Sequence, residues 1–445
     1  MIVVFRLCVV LTLAAAASLR AASVAEHAVR STIAGVDLIA YPTGVKNVVT
    51  LRGAFPAGDR FAPAHNLAVP TLVGEMLDQG TRHHDKFALA EKLESVGASL
   101  SFSVDGSMLN LRGRCLTKDL PMVIALLAEM LREPSFPAEE LEKVKKQLEG
   151  EFRRALEQPD HRAEQAFARS IYPAGHPNHT PSTEDFLEAM ARASVADLRA
   201  FHAGWYGPAA FTLVVVGDLD PSALQDEVRR AFAGWTGGRQ PESAAPARRP
   251  AAAAEAVVAM ADKPSVSIIW GQPTGLAYRD PDTLALRVGT NILGSGFTGR
   301  LMGSVRDREG LTYGIHAAVM NDTVSDGDWR IAASFSPELL AQGLASTRRE
   351  LEAWHRDGVT ADEVEREKSN YVGTFQVSLA TTGGMAGALL ASVQRGYGVS
   401  WPDELPRRIA ALTTDQINAA IKKHVHLDRL FLVKAGTIAP PAGTP

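Results

Sequence analysis

Cysteine is nearly absent: the 445-residue chain has two, and Cys8 lies inside an apolar N-terminal run. Removal of that run as a leader leaves Cys115 alone, which excludes an internal disulfide framework. Charge of one sign is missing as well. Lys and Arg number 46 against 50 Asp and Glu, a net charge of -4, so nothing steers the chain electrostatically toward nucleic acid or an anionic membrane surface. Long hydrophobic runs are missing beyond the N-terminus, so no stable membrane insertion is expected there. What is present is ordinary globular material, 46% apolar and 22% charged, long enough for two or three domains.

The first residues, "MIVVFRLCVVLTLAAAASLRAAS", place one Arg ahead of a short apolar run and then small residues. That run is too short for a comfortable span and reads as a secretory signal over residues 1–22, giving a periplasmic or secreted protein. An uncleaved anchor is the alternative. Residues 237–254, "GGRQPESAAPARRPAAAA", have linker composition. They separate a unit at 25–236 from one at 255–440.

These halves resemble each other. "FPAEELEKVKKQLEGEF" (136–152) aligns without a gap on "VTADEVEREKSNYVGTF" (359–375), with Ala138/Ala361, Glu140/Glu363, Lys145/Lys368, Gly150/Gly373 and Phe152/Phe375 identical. "FTLVVVGDLDP" (211–221) pairs with "LFLVKAGTIAP" (430–440). Ser194 with Asp197, and Thr413 with Gln416, have capping-box spacing at the preceding helix starts. A repeat of this length present twice is a duplicated domain. Strands are expected at 48–55, 100–111 and 212–216, and helices at 119–132, 138–155 and 195–203. That mixture predicts an α+β fold, helices on an antiparallel sheet in each half.

The stretch "AVPTLVGEMLDQGT" (68–81) reads as a short amphipathic helix ending at a glycine turn. Thr71, Gly74 and Glu75 share one face of it. Taken with "YPAGHPNHTPSTEDF" (172–186), "WYGPAAFTLVVVGDLDP" (205–221), "ILGSGFTGRLMGSVRDREGLTYGI" (292–315) and the duplication, the chain resembles the pitrilysin/insulinase family of metallopeptidases, processing-peptidase subunits included. The resemblance implies two homologous domains forming half of a clam-shell. Catalytic members carry H-x-x-E-H on this helix, two His ligands for zinc and a Glu that polarises water. Here those positions are Thr71, Gly74 and Glu75. The family's distant Glu ligand falls on or beside Glu151, whose plain reading is a surface carboxylate, with Thr374 at the matching place in the second half.

No cofactor is therefore expected in this chain, and the resemblance puts zinc in a paralogous partner subunit. It also implies that "RDREGLTY" supplies Arg306 and Tyr313, donors to a peptide substrate and its oxyanion. The leading expectation is a non-catalytic subunit acting in trans on peptide hydrolysis. A structural or peptide-binding scaffold is the second reading. A self-sufficient metallopeptidase with an unrecognised metal site is the third, with His176 and His179 in "GHPNHTP" the residues that could approach an ion. "GSGFTG" (294–299) matches a dinucleotide fingerprint in letters, but follows a helical run rather than a strand and reads as a turn.

Overall fold

Along Leu109–Cys115 buried and exposed positions alternate, the period of a strand with one face on a core. Among the described residues eleven strands build two sheets. The computed structural model describes residues 23–240, 246–247 and 252–438. The leader at 1–22 lies outside the described residues, as do 241–245 and 248–251 of the linker.

The first sheet holds β1 (Val29–Ile33), β2 (Val36–Pro42), β3 (Val49–Phe55), β4 (Ser99–Val104), β5 (Leu109–Cys115) and β6 (Thr212–Gly217), in the order β1-β2-β6-β3-β5-β4. The second holds β7 (Ala254–Ala259), β8 (Val266–Pro273), β9 (Thr312–Met320), β10 (Asp328–Phe335) and β11 (Phe431–Gly436), in the order β7-β11-β8-β10-β9. Without β1 the first order maps onto the second strand for strand. The protein is thus two α+β domains, each a sheet packed by helices.

Two expectations need correction. The sheets are mixed, because β2 runs parallel to β6 and β7 parallel to β11. Each of these pairs joins strands from opposite ends of a half, with no hairpin to impose antiparallel direction. The single strand expected at 100–111 is a hairpin. Asp105 accepts hydrogen bonds from the amides of Ser107 and Met108, at 2.8 and 2.9 Å, and turns the chain between β4 and β5.

The duplicated helices are Ala138–Leu156 and Ala361–Leu379, 19 residues each. The helices that follow them, Pro159–Ile171 and Thr382–Gln394, are 13 residues each. Both capping boxes form, Ser194 with Asp197 and Thr413 with Gln416.

One face of each sheet packs on helices of its own half, around residues such as Leu51, Leu72 and Leu127 in the first and Ile268, Leu293 and Trp354 in the second. The other faces are covered by exchange. The 382–394 helix lays Met385, Ala386 and Leu389 on Ala54, Val214 and Val216 of the first sheet. The 159–171 helix lays Ala163 and Phe167 on Ile269 and Val433 of the second.

A buried polar seam fastens the exchange. The Tyr172 hydroxyl donates to Asp328 at 2.7 Å, and Arg330 bridges Asp328 and Glu164. His176, buried against the Tyr172 ring, bonds Asp326 through Nε2 and accepts the Asn178 amide at Nδ1. His179 bonds the Tyr172 carbonyl. Both ring nitrogens of His176 are engaged, so the seam is what holds this histidine pair.

Candidate functional site

The helix Val69–Met76 lies where the sequence expects it, with Val69, Leu72, Val73 and Met76 buried. It packs between β4 and the 138–156 and 195–205 helices. The three positions matched to a zinc motif share one helix face but do not make a metal site. The Thr71 hydroxyl donates to Asp59 at 2.7 Å. A Cβ built on Gly74 would stand 2.6 Å from Val104 Cγ2 and 3.3 Å from Leu109 Cδ1, so apolar atoms of the β4–β5 hairpin fill the space.

Glu75 is half-buried. Burial, then the charges of Asp78 and Glu151, raises its carboxyl above the ordinary range. Glu151 is exposed and accepts a hydrogen bond from Gln147, four residues earlier on its own helix. Glu75 and Glu151 thus share a neighbourhood, but as like charges without an imidazole. Among the described residues no group of three or more His, Cys, Asp or Glu could hold a metal ion. Zinc does not fit the residues present here: a bonded hydroxyl, a filled glycine and carboxylates that repel one another.

Asp59 was not legible as part of this region. Burial pushes its carboxyl up to about 6, against the Thr71 hydrogen bond, with the Asp105 charge adding to the rise.

Arg306 and Tyr313 are brought together. The segment Met302–Arg308 is wound as a π-helix, a winding frequent at functional sites. Glu309 ties its end to the helix Leu340–Asp357 by accepting from Ser304, Ser346 and Arg349. Tyr313 follows on β9, where the register against β10 shifts between Ala333 and Phe335. Such a bulge re-aims a side chain. Tyr313 is 90% exposed, and the Arg306 guanidinium lies 5.6 Å from its ring centre. The Phe297 ring also lies 5.3 Å from the Arg306 guanidinium and is 75% exposed. The sequence offered one signal for Phe297, a large apolar residue inside the glycine turn "GSGFTG". Beside it a groove of about 560 Å³ opens, lined by Ile269, His316, Arg330 and Ala332. Among the described residues, no hydrogen bond, ion pair or ring contact links Arg306 or Tyr313 to Thr71, Glu75 or Glu151.

Comparison with known proteins bears on the whole chain. Residues 39–180 match the family model described as insulinase (peptidase family M16), and residues 192–371 match the one described as the peptidase M16 inactive domain. An uncharacterized zinc protease of Streptomyces coelicolor is 25% identical over 81% of this chain and 78% of its own length. The crystal structure of a peptidase M16 inactive domain from Pseudomonas fluorescens superposes with a TM-score of 0.85 at 24% identity, covering 93% of this chain and 98% of that one. The periplasmic protease PqqL of Escherichia coli superposes with a TM-score of 0.74 at 15% identity, and 90% of this chain covers only 44% of that one. The chain therefore belongs to the insulinase family of peptidases, family M16.

Proposed function

We propose that this chain is the zinc-free subunit of a two-chain periplasmic peptidase, paired with a zinc-bearing paralogue. It would close a clam-shell chamber with domains at 25–236 and 255–440 joined by 237–254. The observation that carries the reading is the contrast between its two halves. The space of the general base is filled by Val104 and Leu109, while Tyr313 stands almost wholly exposed on a bulge beside Arg306. A guanidinium and a phenol both donate hydrogen bonds and cannot act as a base at neutral pH. Their chemistry is to hold a peptide carbonyl and the negative charge that grows on it when water attacks. The attacking water would be activated by the partner's metal. That this chain covers only 44% of PqqL leaves room in that longer protein for a second unit, which supports the pairing of two units here.

The test is turnover of the reconstituted complex. Arg306→Ala should lower kcat by about tenfold to a thousandfold, the scale of one lost oxyanion donor, with assembly by gel filtration unchanged. Turnover equal to wild type would remove the catalytic role.

A second reading is favoured by a specific feature, the edge of β9, which among the described residues pairs only with β10. An extended peptide can add to such an edge by main-chain hydrogen bonds, and the chain would then be a peptide-binding scaffold. Tight peptide binding by the isolated chain, indifferent to Arg306→Ala, would favour it.

A further inference from the structure

The helix Thr382–Gln394 packs on β6 and β3 at the outer face of the first sheet, and β5 and β4 lie beyond them. The register sets Arg52 opposite Arg112 and Thr50 opposite Arg114. On the other side Ser101 lies opposite Arg112 and Ser99 opposite Arg114. Leu111 and Cys115 are buried in the helical core, so alternation sends Arg112 and Arg114 to the outer face. With Arg52 they surround a recess of about 390 Å³.

These cations have no counter-charge. Among the described residues none of the three guanidiniums has a hydrogen bond or an ion pair, and the Arg52 Nε is sealed from solvent without an acceptor. Burial, and then the charge of Arg112, holds Arg52 below its ordinary value. Like charges directly opposite on neighbouring strands destabilise a sheet, so an anion that lay between them would relieve repulsion as well as bind.

The covering helix points the same way. Thr382 and Gly383, its first residues, line the recess. Amides of a helix's first turn have no intrahelical acceptor and carry the positive end of the dipole. The capping hydroxyl of Thr381 is spent on Gly384, and a Cβ at Gly383 would meet nothing within 4 Å.

We propose that this recess binds an extended acidic peptide segment, with carboxylates at alternate positions on Arg112 and Arg114. Alternate residues of an extended chain lie ~6.5 Å apart, the same repeat that separates Arg112 from Arg114 along β5. The exposed Ser99, Ser101 and Ser103 of β4 run beside the arginines as neutral donors. This assignment is independent of Arg306 and Tyr313, which belong to the other half, and needs no partner chain.

The experiment uses the full chain and fluorescence anisotropy. The probe is a fluorescein-labelled Glu-Ala repeat of eight residues, its Gln-Ala counterpart the control, and inorganic phosphate the competitor. The Glu peptide should bind at least tenfold more tightly than the Gln peptide and weaken as salt rises. Arg112→Gln and Arg114→Gln, both at exposed positions, should each weaken it several-fold and together more than tenfold, with Tm unchanged or raised by the relief of like-charge repulsion. Arg153→Gln, on the exposed side of the 138–156 helix, should leave binding as it is. Equal affinity for the two peptides, or affinity untouched by the double variant, would overturn the proposal. Phosphate displacing the peptide at comparable concentration would overturn it too, by assigning the recess to a free oxyanion.

Discussion

Adding one methyl group at position 74, which the resemblance matches to the family's general base, tests whether the space beside Gly74 is filled. In an open helix interior, Gly→Ala stabilises by about 0.8–1.0 kcal/mol. Here the new Cβ would meet Val104 Cγ2 at 2.6 Å, roughly 1 Å inside the carbon–carbon optimum of about 3.5–4.0 Å. Val104 is β-branched and stiff, so relief requires β4 to shift, and overpacking of this kind costs about 1–3 kcal/mol. Gly74→Ala alone should therefore be neutral or destabilising by up to about 2 kcal/mol. In a Val104→Ala background the obstructing methyl is gone and the full helix gain should return. The double-mutant cycle then yields a coupling on the order of 1–3 kcal/mol. Urea unfolding of the four chains, followed by circular dichroism, measures it. If Gly74→Ala raised the midpoint equally in both backgrounds, with coupling inside about 0.5 kcal/mol, the position would be vacant and the reasoning refuted. A glutamate is far larger than a methyl. Writing H-x-x-E-H back over residues 71–75 should therefore not restore stoichiometric zinc, as read by metal analysis.

Other consequences are open to measurement. Arg330, 2% exposed, neutralises the fully buried Asp328, so Arg330→Met should cost about 3–5 kcal/mol by leaving a charge uncompensated; a Tm shift under two degrees would contradict this. Asp59 has its carboxyl pushed up to about 6 by burial, so the folded state binds its proton more tightly than the unfolded one. Its contribution favours folding below pH 4 and is lost as pH rises to about 6, a change on the order of 2–3 kcal/mol. Asp59→Asn should remove that slope from the difference between the two unfolding curves, and an unchanged slope would place the titration elsewhere. Burial pushes the Cys115 thiol up to about 12, so alkylation at pH 8 should proceed only at the rate of unfolding. Prompt modification of the native chain would show that β5 opens locally.

What the sequence disclosed was mostly local. The paired helices at 138–156 and 361–379, the capping boxes, and the 69–76 helix all rest on residues within a turn or two of each other. Arg306 and Tyr313 were legible by resemblance, and the structure brings them together through a π-turn and a bulge that no periodicity announces. The parallel pairings were hidden because β2 and β6 meet only after the whole first half has folded between them. The Asp105 turn lay inside an alternating run whose strand signal masked the "DG" within it. His176 looked available to an ion because its partner Asp326 lies in the other half. Gly74 could be seen as a missing base, but not as an occupied one, since Val104 reaches it from β4.

The exchanged helices carry a consequence of their own. Each sheet's outer face is covered mainly by a helix of the other half, so a protein with only one such unit would expose much of the apolar strip that Val214 and Val216, or Ile269 and Val433, present. Its simplest remedy is a second copy, each lending the other a helix, as in domain-swapped pairs. Joining two copies through a linker fixes that partnership at high local concentration. It also frees the copies to diverge. One outer face now carries Arg52, Arg112 and Arg114, without a partner among the described residues, at the start of its borrowed helix, while on the other Glu164 of the borrowed helix is paired with Arg330 of the sheet. Two identical subunits could not have differed there; one fused chain can.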